Sequence, residues 1–152
     1  KIAAIVRQVC ESFDTHQETT VIPSQLGEFI FQKTVELEIY VTEPVEARAI
    51  NLDARGKDYA TNILSYASEL PEAVLELLPA LPLGELVICH AVVVSQAAEQ
   101  GKTAQQHLTH LLVHGILHLL GFDHELGQAE QDEMEAIEIA VLDKLSVANP
   151  YE

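Results

Sequence analysis

The sequence predicts an α+β fold: one compact domain over residues 1–152, with a small mixed sheet packed against helices and one helix central and buried. Three observations carry that prediction. Residues 34–42 (TVELEIYVT) alternate, with Val35, Leu37, Ile39 and Val41 facing one way and Glu36, Glu38 and Tyr40 the other. A period of two is that of a half-buried strand. Residues 104–120 carry Leu and Val around most of a helical circumference, as a helix enclosed by other elements does. Strands and helices are interspersed without the regular strand–helix–strand repeat of an all-parallel sheet.

Taken in order, residues 1–13 (KIAAIVRQVCESF) space their apolar groups as a helix does. Residues 24–33 (SQLGEFIFQK) predict a second, short helix capped by Ser24. After the strand, Pro44 suits a first helical turn, where its missing N–H costs nothing, so a helix is expected over 44–52. Arg55-Gly56-Lys57-Asp58 reads as a turn and 63–66 as a short strand. Pro71, Pro79 and Pro82 make 68–84 an irregular loop around a short helix. The apolar, β-branched stretch 85–94 begins as a buried strand, and a helix from near Val93 to Gln100 is stopped by Gly101. Thr103 is placed to cap the central helix, and Gly121 to end it, because glycine enters left-handed backbone without a Cβ clash. A last amphipathic helix over 128–145 sets Met134, Ile137, Ala140, Val141 and Leu145 on one side.

Hydrophobic residues make up 48% of the chain, enough for a core, and with no Trp that core must be largely aliphatic. The longest apolar stretches are 70–83, broken by prolines, and 111–120, which contains two histidines. Neither approaches the roughly 20 apolar residues of a membrane span, so no membrane partner is expected. Cys10 and Cys89 form no disulfide framework, and Cys89 in the run LVIC reads as a buried free thiol. A reducing, cytoplasmic location is the expectation. The net charge of −16 opposes broad nucleic-acid binding, which draws on Lys and Arg, and DNA is not an expected partner. Of the eight basic residues, only Arg55 and Lys57 lie close together.

The chemistry sits in HGILHLLGFDH, residues 114–124. His114 and His118 are four apart, which on a helix stacks both imidazoles on one face, one turn apart. Gly121 lets the chain reverse, and His124 can return to complete a three-nitrogen site. Three protein ligands leave the fourth position of a tetrahedral ion open, the arrangement of catalytic zinc and not of structural zinc. One zinc ion is the expected cofactor, although the same donors accept other divalent transition metals. The spacing is that of the zincin pattern H-E-x-x-H-x-x-G-x-x-H with Gly115 in place of the glutamate base, so the fold is expected to be zincin-like but peptidase chemistry is disfavoured. Met134 reads as core, not as a Met-turn. His110, one turn before His114, is placed to bond behind a ligand or to meet substrate. His107 shares that face, and His16 and His90 have no assigned role.

Together with the upstream NLDARGKDYATNILSY and LGELVIC, in the same order and spacing, the histidine segment resembles the bacterial YbeY family of rRNA-maturation metalloproteins over about residues 35–145. Glu85 departs from the usual Asp, Tyr66 from the usual Phe, and ELGQAEQDE after His124 from the expected acidic run, so no roles carry over from that last segment. The resemblance implies a metal-dependent endoribonuclease specific for single strands. It would act in 16S rRNA 3′-end maturation and ribosome quality control, with the small ribosomal subunit as partner. It places the metal ligands on His114, His118 and His124 and the functional arginine on Arg55. A guanidinium at Arg55 would steady phosphate charge in a fork that Lys cannot match. The competing role for Arg55 is a surface ion pair with Asp53 or Asp58. Because the surface is acidic, ribosomal proteins or an assembly GTPase are expected to deliver the RNA. The alternatives are an assembly factor with a mainly structural metal, or another metallohydrolase.

Overall fold

Three strands form one mixed sheet: β1 (Thr34–Thr42), β2 (Ile63–Ala67) and β3 (Ala80–Cys89), in the order β1-β3-β2. The strands and helices come from a computed structural model that describes residues 2–13, 22–30 and 33–152. β3 runs parallel to β1 and antiparallel to β2. The central position falls to the most apolar strand, whose Leu81, Leu83, Leu86 and Ile88 are buried. Among the described residues six α-helices accompany the sheet: α1 (Ile2–Glu11), α2 (Pro44–Arg55), α3 (Glu72–Leu77), α4 (His90–Glu99), α5 (Ala104–Leu119) and α6 (Gln128–Lys144). α5 is the hub, contacted by α1, α4, α6, β2 and β3. Its Leu112, Val113, Ile116, Leu117 and Leu119 are almost wholly enclosed, which accounts for the all-round apolar pattern. Among the described residues no helix is long and apolar enough to cross a membrane. Cys10 and Cys89 are free thiols, the latter buried.

Several boundaries differ from the sequence expectation. β3 starts at Ala80, inside the stretch expected to be irregular, and passes through Pro82. Proline is tolerated here because β2 flanks β3 only from Gly84 onward, and a bulge follows where the β1 register shifts between Glu36 and Leu37. α4 begins at His90, directly after the strand, and not near Val93. In place of a helix over 24–33 there is a single 3₁₀ turn, Gln25–Glu28, capped by Ser24 accepting from the Leu26 N–H. The alternation of β1 breaks at its end: Val41 is exposed, and Thr42 turns inward to donate to Glu46 in the first turn of α2. α2 continues to Arg55, so that residue is the last of a helix and not part of a turn; Gly56 at φ 71° supplies the left-handed cap. On α6, Ala140 is exposed while Glu138 is buried. His16 and positions 31–32 lie outside the described residues.

Candidate metal centre

α5 is fixed at both ends. Thr103 accepts from the Gln106 N–H while the Gln106 side chain accepts from the Thr103 N–H, a capping box at 3.1 and 3.0 Å. At the other end Gly121 stands at φ 98°, with its N–H on the His118 carbonyl and the Phe122 N–H on the Leu117 carbonyl. This pair of bonds is a Schellman turn, which satisfies the last carbonyls of the helix and reverses the chain. The ring of Phe122 stacks on Phe13 beyond α1, with centroids 5.7 Å apart. Asp123 then accepts from the Glu125 N–H and opens the short 3₁₀ turn His124–Leu126. The reversal brings His124 beside the helix pair, and one ring nitrogen each of His114, His118 and His124 lies within 4.8 Å of the others.

The rings are held in defined proton states. His114 Nδ1 donates to Glu138 Oε2 at 2.8 Å and His118 Nδ1 donates to the Phe122 carbonyl at 2.9 Å. Both acceptors lack a proton to give, so each Nδ1 carries the hydrogen, and in the neutral rings each Nε2 is bare. Those two bare nitrogens face each other at 3.0 Å. Two lone pairs at that distance repel unless a cation lies between them. A tetrahedral zinc with Zn–N bonds of about 2.0–2.1 Å separates its nitrogen ligands by about 3.3 Å, close to this spacing. The Nδ1 of His124 is buried without a protein partner. Burial pushes His118 below its ordinary value, with His114 and His124 adding to the effect, so it stays in the neutral form that binds metal. The donor set fits a zinc-type ion.

The histidines line a cleft of about 680 Å³ together with Arg55 at the end of α2, residues of β2 including Ser65 and Tyr66, and Glu125. Among the described residues, Arg55 is the one Lys or Arg lining it. Asn51 donates to the Tyr59 carbonyl at 2.8 Å, tying the loop after α2 back onto the helix. The ion pairs expected as the alternative for Arg55 do not form: Asp58 pairs with Arg48 through two bonds at 2.6 and 2.9 Å. The partner of Arg55 is Glu125 at 3.7 Å, across the cleft and exposed to solvent. Lys57 is exposed and does not line the cleft.

Gly115 sits where α5 packs closely on the sheet. A Cβ at that position would lie 2.9 Å from Leu86 Cδ2 and 3.1 Å from Ile63 Cδ1. α5 presses on the sheet at the point where the zincin pattern carries its carboxylate.

Of the remaining histidines, His107 is buried and bonded to Gln96 Oε1 at 2.9 Å, the same oxygen that accepts from Asn62. His110 Nε2 donates to Glu138 Oε1 at 2.9 Å, on the carboxylate that His114 also meets. Glu138 itself was not singled out from the sequence. It is fully buried and also accepts from the Tyr151 hydroxyl. Burial raises its carboxyl, and the bonds from His110, His114 and Tyr151 outweigh that and bring it down to about 2. The signal that could have found it is an acid in the apolar stripe of α6, four residues after Met134 and three before Val141.

The family profile described as Endoribonuclease YbeY matches residues 6–146. The chain is 65% identical over 120 residues to Endoribonuclease YbeY of Psychrobacter cryohalolentis, covering 79% of this chain and 77% of that one. To the Psychrobacter arcticus protein of the same name it is 68% identical over 120 residues, 79% of this chain and 58% of that longer relative. The Acinetobacter baumannii protein is 49% identical over 132 residues, 87% of this chain and 84% of its own. A solution structure from Thermotoga maritima shares the fold, with a TM-score of 0.51 at 20% identity over 99% of this chain and 85% of that one. The chain belongs to the Endoribonuclease YbeY family.

Proposed function

We propose that the protein is a metal-dependent endoribonuclease for single-stranded RNA, with His114, His118 and His124 holding one zinc-type ion and Arg55 binding the scissile phosphate. The observation that carries this reading is the convergence of one ring nitrogen each from His114, His118 and His124 in the cleft that Arg55 also lines. The ion would supply a Lewis acid and a more acidic water in its open position. The chain's own groups do the rest. The Arg55 guanidinium approaches from the end of α2 and can donate two parallel bonds to phosphate oxygens. Binding substrate there requires Arg55 to leave Glu125, a solvent-screened pair worth little. Ser65 and Tyr66 on β2 also line the cleft and offer a surface against which a nucleotide can lie.

The cellular role that fits is 16S rRNA 3′-end maturation and ribosome quality control in the cytoplasm. With a net charge of −16, the chain offers little attraction to bulk RNA. Its affinity would come from the small ribosomal subunit and from ribosomal proteins or an assembly GTPase that present the strand. The same charge favours a second reading, an assembly factor whose metal is mainly structural. The deciding experiment is cleavage of a single-stranded rRNA 3′-precursor by metal-loaded protein beside His114→Ala. Cleavage by the wild type alone is expected. An intact precursor with the fully loaded wild type would move the assignment to the assembly factor.

A further inference from the structure

Glu138 is the one carboxylate among the described residues that is wholly enclosed. Enclosing a carboxylate is costly unless every lone pair is bonded and its charge is met. Its ion-pair partners among the described residues are two histidines, His110 and His114, and no Lys or Arg. The two oxygens divide their work. Oε1 is anchored by His110 Nε2 at 2.9 Å and by the Tyr151 hydroxyl, while Oε2 is left to His114 Nδ1 at 2.8 Å. An ionised carboxylate only accepts, so the ring of His114 can meet it in one form alone, with the proton on Nδ1.

The anchor is itself built by a helix ending. After α6, Ser146 takes φ 62°, its N–H bonds the Asp143 carbonyl at 3.1 Å, and the Val147 N–H bonds the Leu142 carbonyl at 2.8 Å. This second Schellman turn sends the chain back along α6, so that Tyr151 reaches a residue 13 positions earlier. There its ring also stands edge-on to His110, with centroids 5.6 Å apart. One helix end thus delivers His124 to the front of the site, and another delivers Tyr151 to its back.

We infer that Glu138 is a positioning residue of the metal centre: it holds His114 with Nδ1 protonated and Nε2 turned to the ion, and Tyr151 and His110 hold Glu138. This rests on the reading of the three histidines as a metal site. His118 receives the equivalent support from a neutral carbonyl, so His114 is the ligand made more basic by a charged partner. The negative charge behind His114 also meets the positive charge of an ion one imidazole away.

The test uses metal-free full-length protein, Glu138→Gln and Tyr151→Phe. Zinc affinity is read by competition with a chelator, and the state of His114 by nitrogen-15 NMR of its ring. In the wild type, His114 is expected as the Nδ1–H form. Glu138→Gln is expected to keep its circular dichroism and to lose about 10- to 100-fold in zinc affinity. Tyr151→Phe is expected to lose about fivefold, the equivalent of one net hydrogen bond. A wild-type His114 protonated on Nε2, or a folded Glu138→Gln with wild-type zinc affinity, overturns the inference. Should Glu138→Gln fail to fold, Tyr151→Phe decides, and wild-type affinity in that variant overturns it. A wild type that binds no zinc overturns the metal-site reading and this inference together. Zinc binding by the wild type beside an unaffected Glu138→Gln overturns this inference alone.

Discussion

Gly121→Ala perturbs the turn that returns His124 to the metal helix. At φ 98° an L-residue is strained, at a cost of roughly 1–3 kcal/mol. Space is a second obstacle: the added Cβ would lie 2.9 Å from the Ser24 backbone nitrogen and 3.1 Å from Pro23 Cβ. Something must move, and what moves carries the bond from the Ser24 N–H to the Leu120 carbonyl at 3.0 Å, worth about 1 kcal/mol net. The two terms together predict a loss of about 2–4 kcal/mol. For a domain of this size, that lowers the melting temperature by about 5–15 °C. Gly56→Ala is the control, because Gly56 has φ 71° but nothing within 4 Å of its Cβ, so only the conformational cost remains, about 1 kcal/mol. Denaturant unfolding of both metal-free variants measures the difference. A Gly121→Ala loss below about 1 kcal/mol, or one equal to that of Gly56→Ala, would refute the close-approach argument.

Other expectations follow from single contacts. Arg55→Ala removes a half-exposed side chain whose partner is 3.7 Å away, so stability should stay within about 0.5 kcal/mol and zinc affinity should hold, while RNA cleavage falls about 100-fold or more. Undiminished cleavage by the loaded variant would sink the phosphate-binding role. Gly84→Ala sets a Cβ 2.2 Å from the Tyr66 carbonyl oxygen at φ 137°, so β2 must part from β3 at a cost of about 3 kcal/mol or more; a wild-type denaturation midpoint would contradict that packing. Burial, with the Glu11 charge adding to it, raises the Cys10 thiol above its ordinary value, so the fraction of thiolate at pH 8 is reduced. Alkylation of Cys10 by iodoacetamide should therefore be several-fold slower in the folded than in the urea-unfolded protein, and equal rates by mass spectrometry would count against it. Metal-loaded protein should leave casein undigested, and digestion that tracks His114 would reverse the exclusion of peptidase chemistry.

What the sequence made legible is what repeats or caps locally. The alternation in TVELEIYVT, the all-round apolar pattern of α5, the Thr103 cap and the Gly121 reversal each depend on residues within a turn or two of one another. The histidine triad was legible for the same reason, since two ligands share a helix face and the third lies just past its end. What was hidden depends on distant partners. The first residues of β3 looked irregular because Pro82 opposes a central strand, and only the short reach of β2 makes it acceptable. Arg55 looked like a turn residue because the cap on α2 comes one residue later, at Gly56. Glu138 did not stand out among the other acids of α6, because its partners lie 28 and 24 residues before it and 13 after.

Gly115 also bears on how such a chain can change over generations. Glycine codons ending in A or G become glutamate codons by one base, so on paper the histidine helix stands one nucleotide from the zincin peptidase pattern. The close approach to the side-chain ends of Leu86 and Ile63 adds a packing cost to that short genetic step. A side chain at 115 requires the ends of Leu86 and Ile63 to shift by a small fraction of a bond length, which perturbs the packing behind the cleft. A lineage with this glycine is confined to chemistry that needs no carboxylate at that point, and a search by motif alone would place it much nearer to the peptidases than it is.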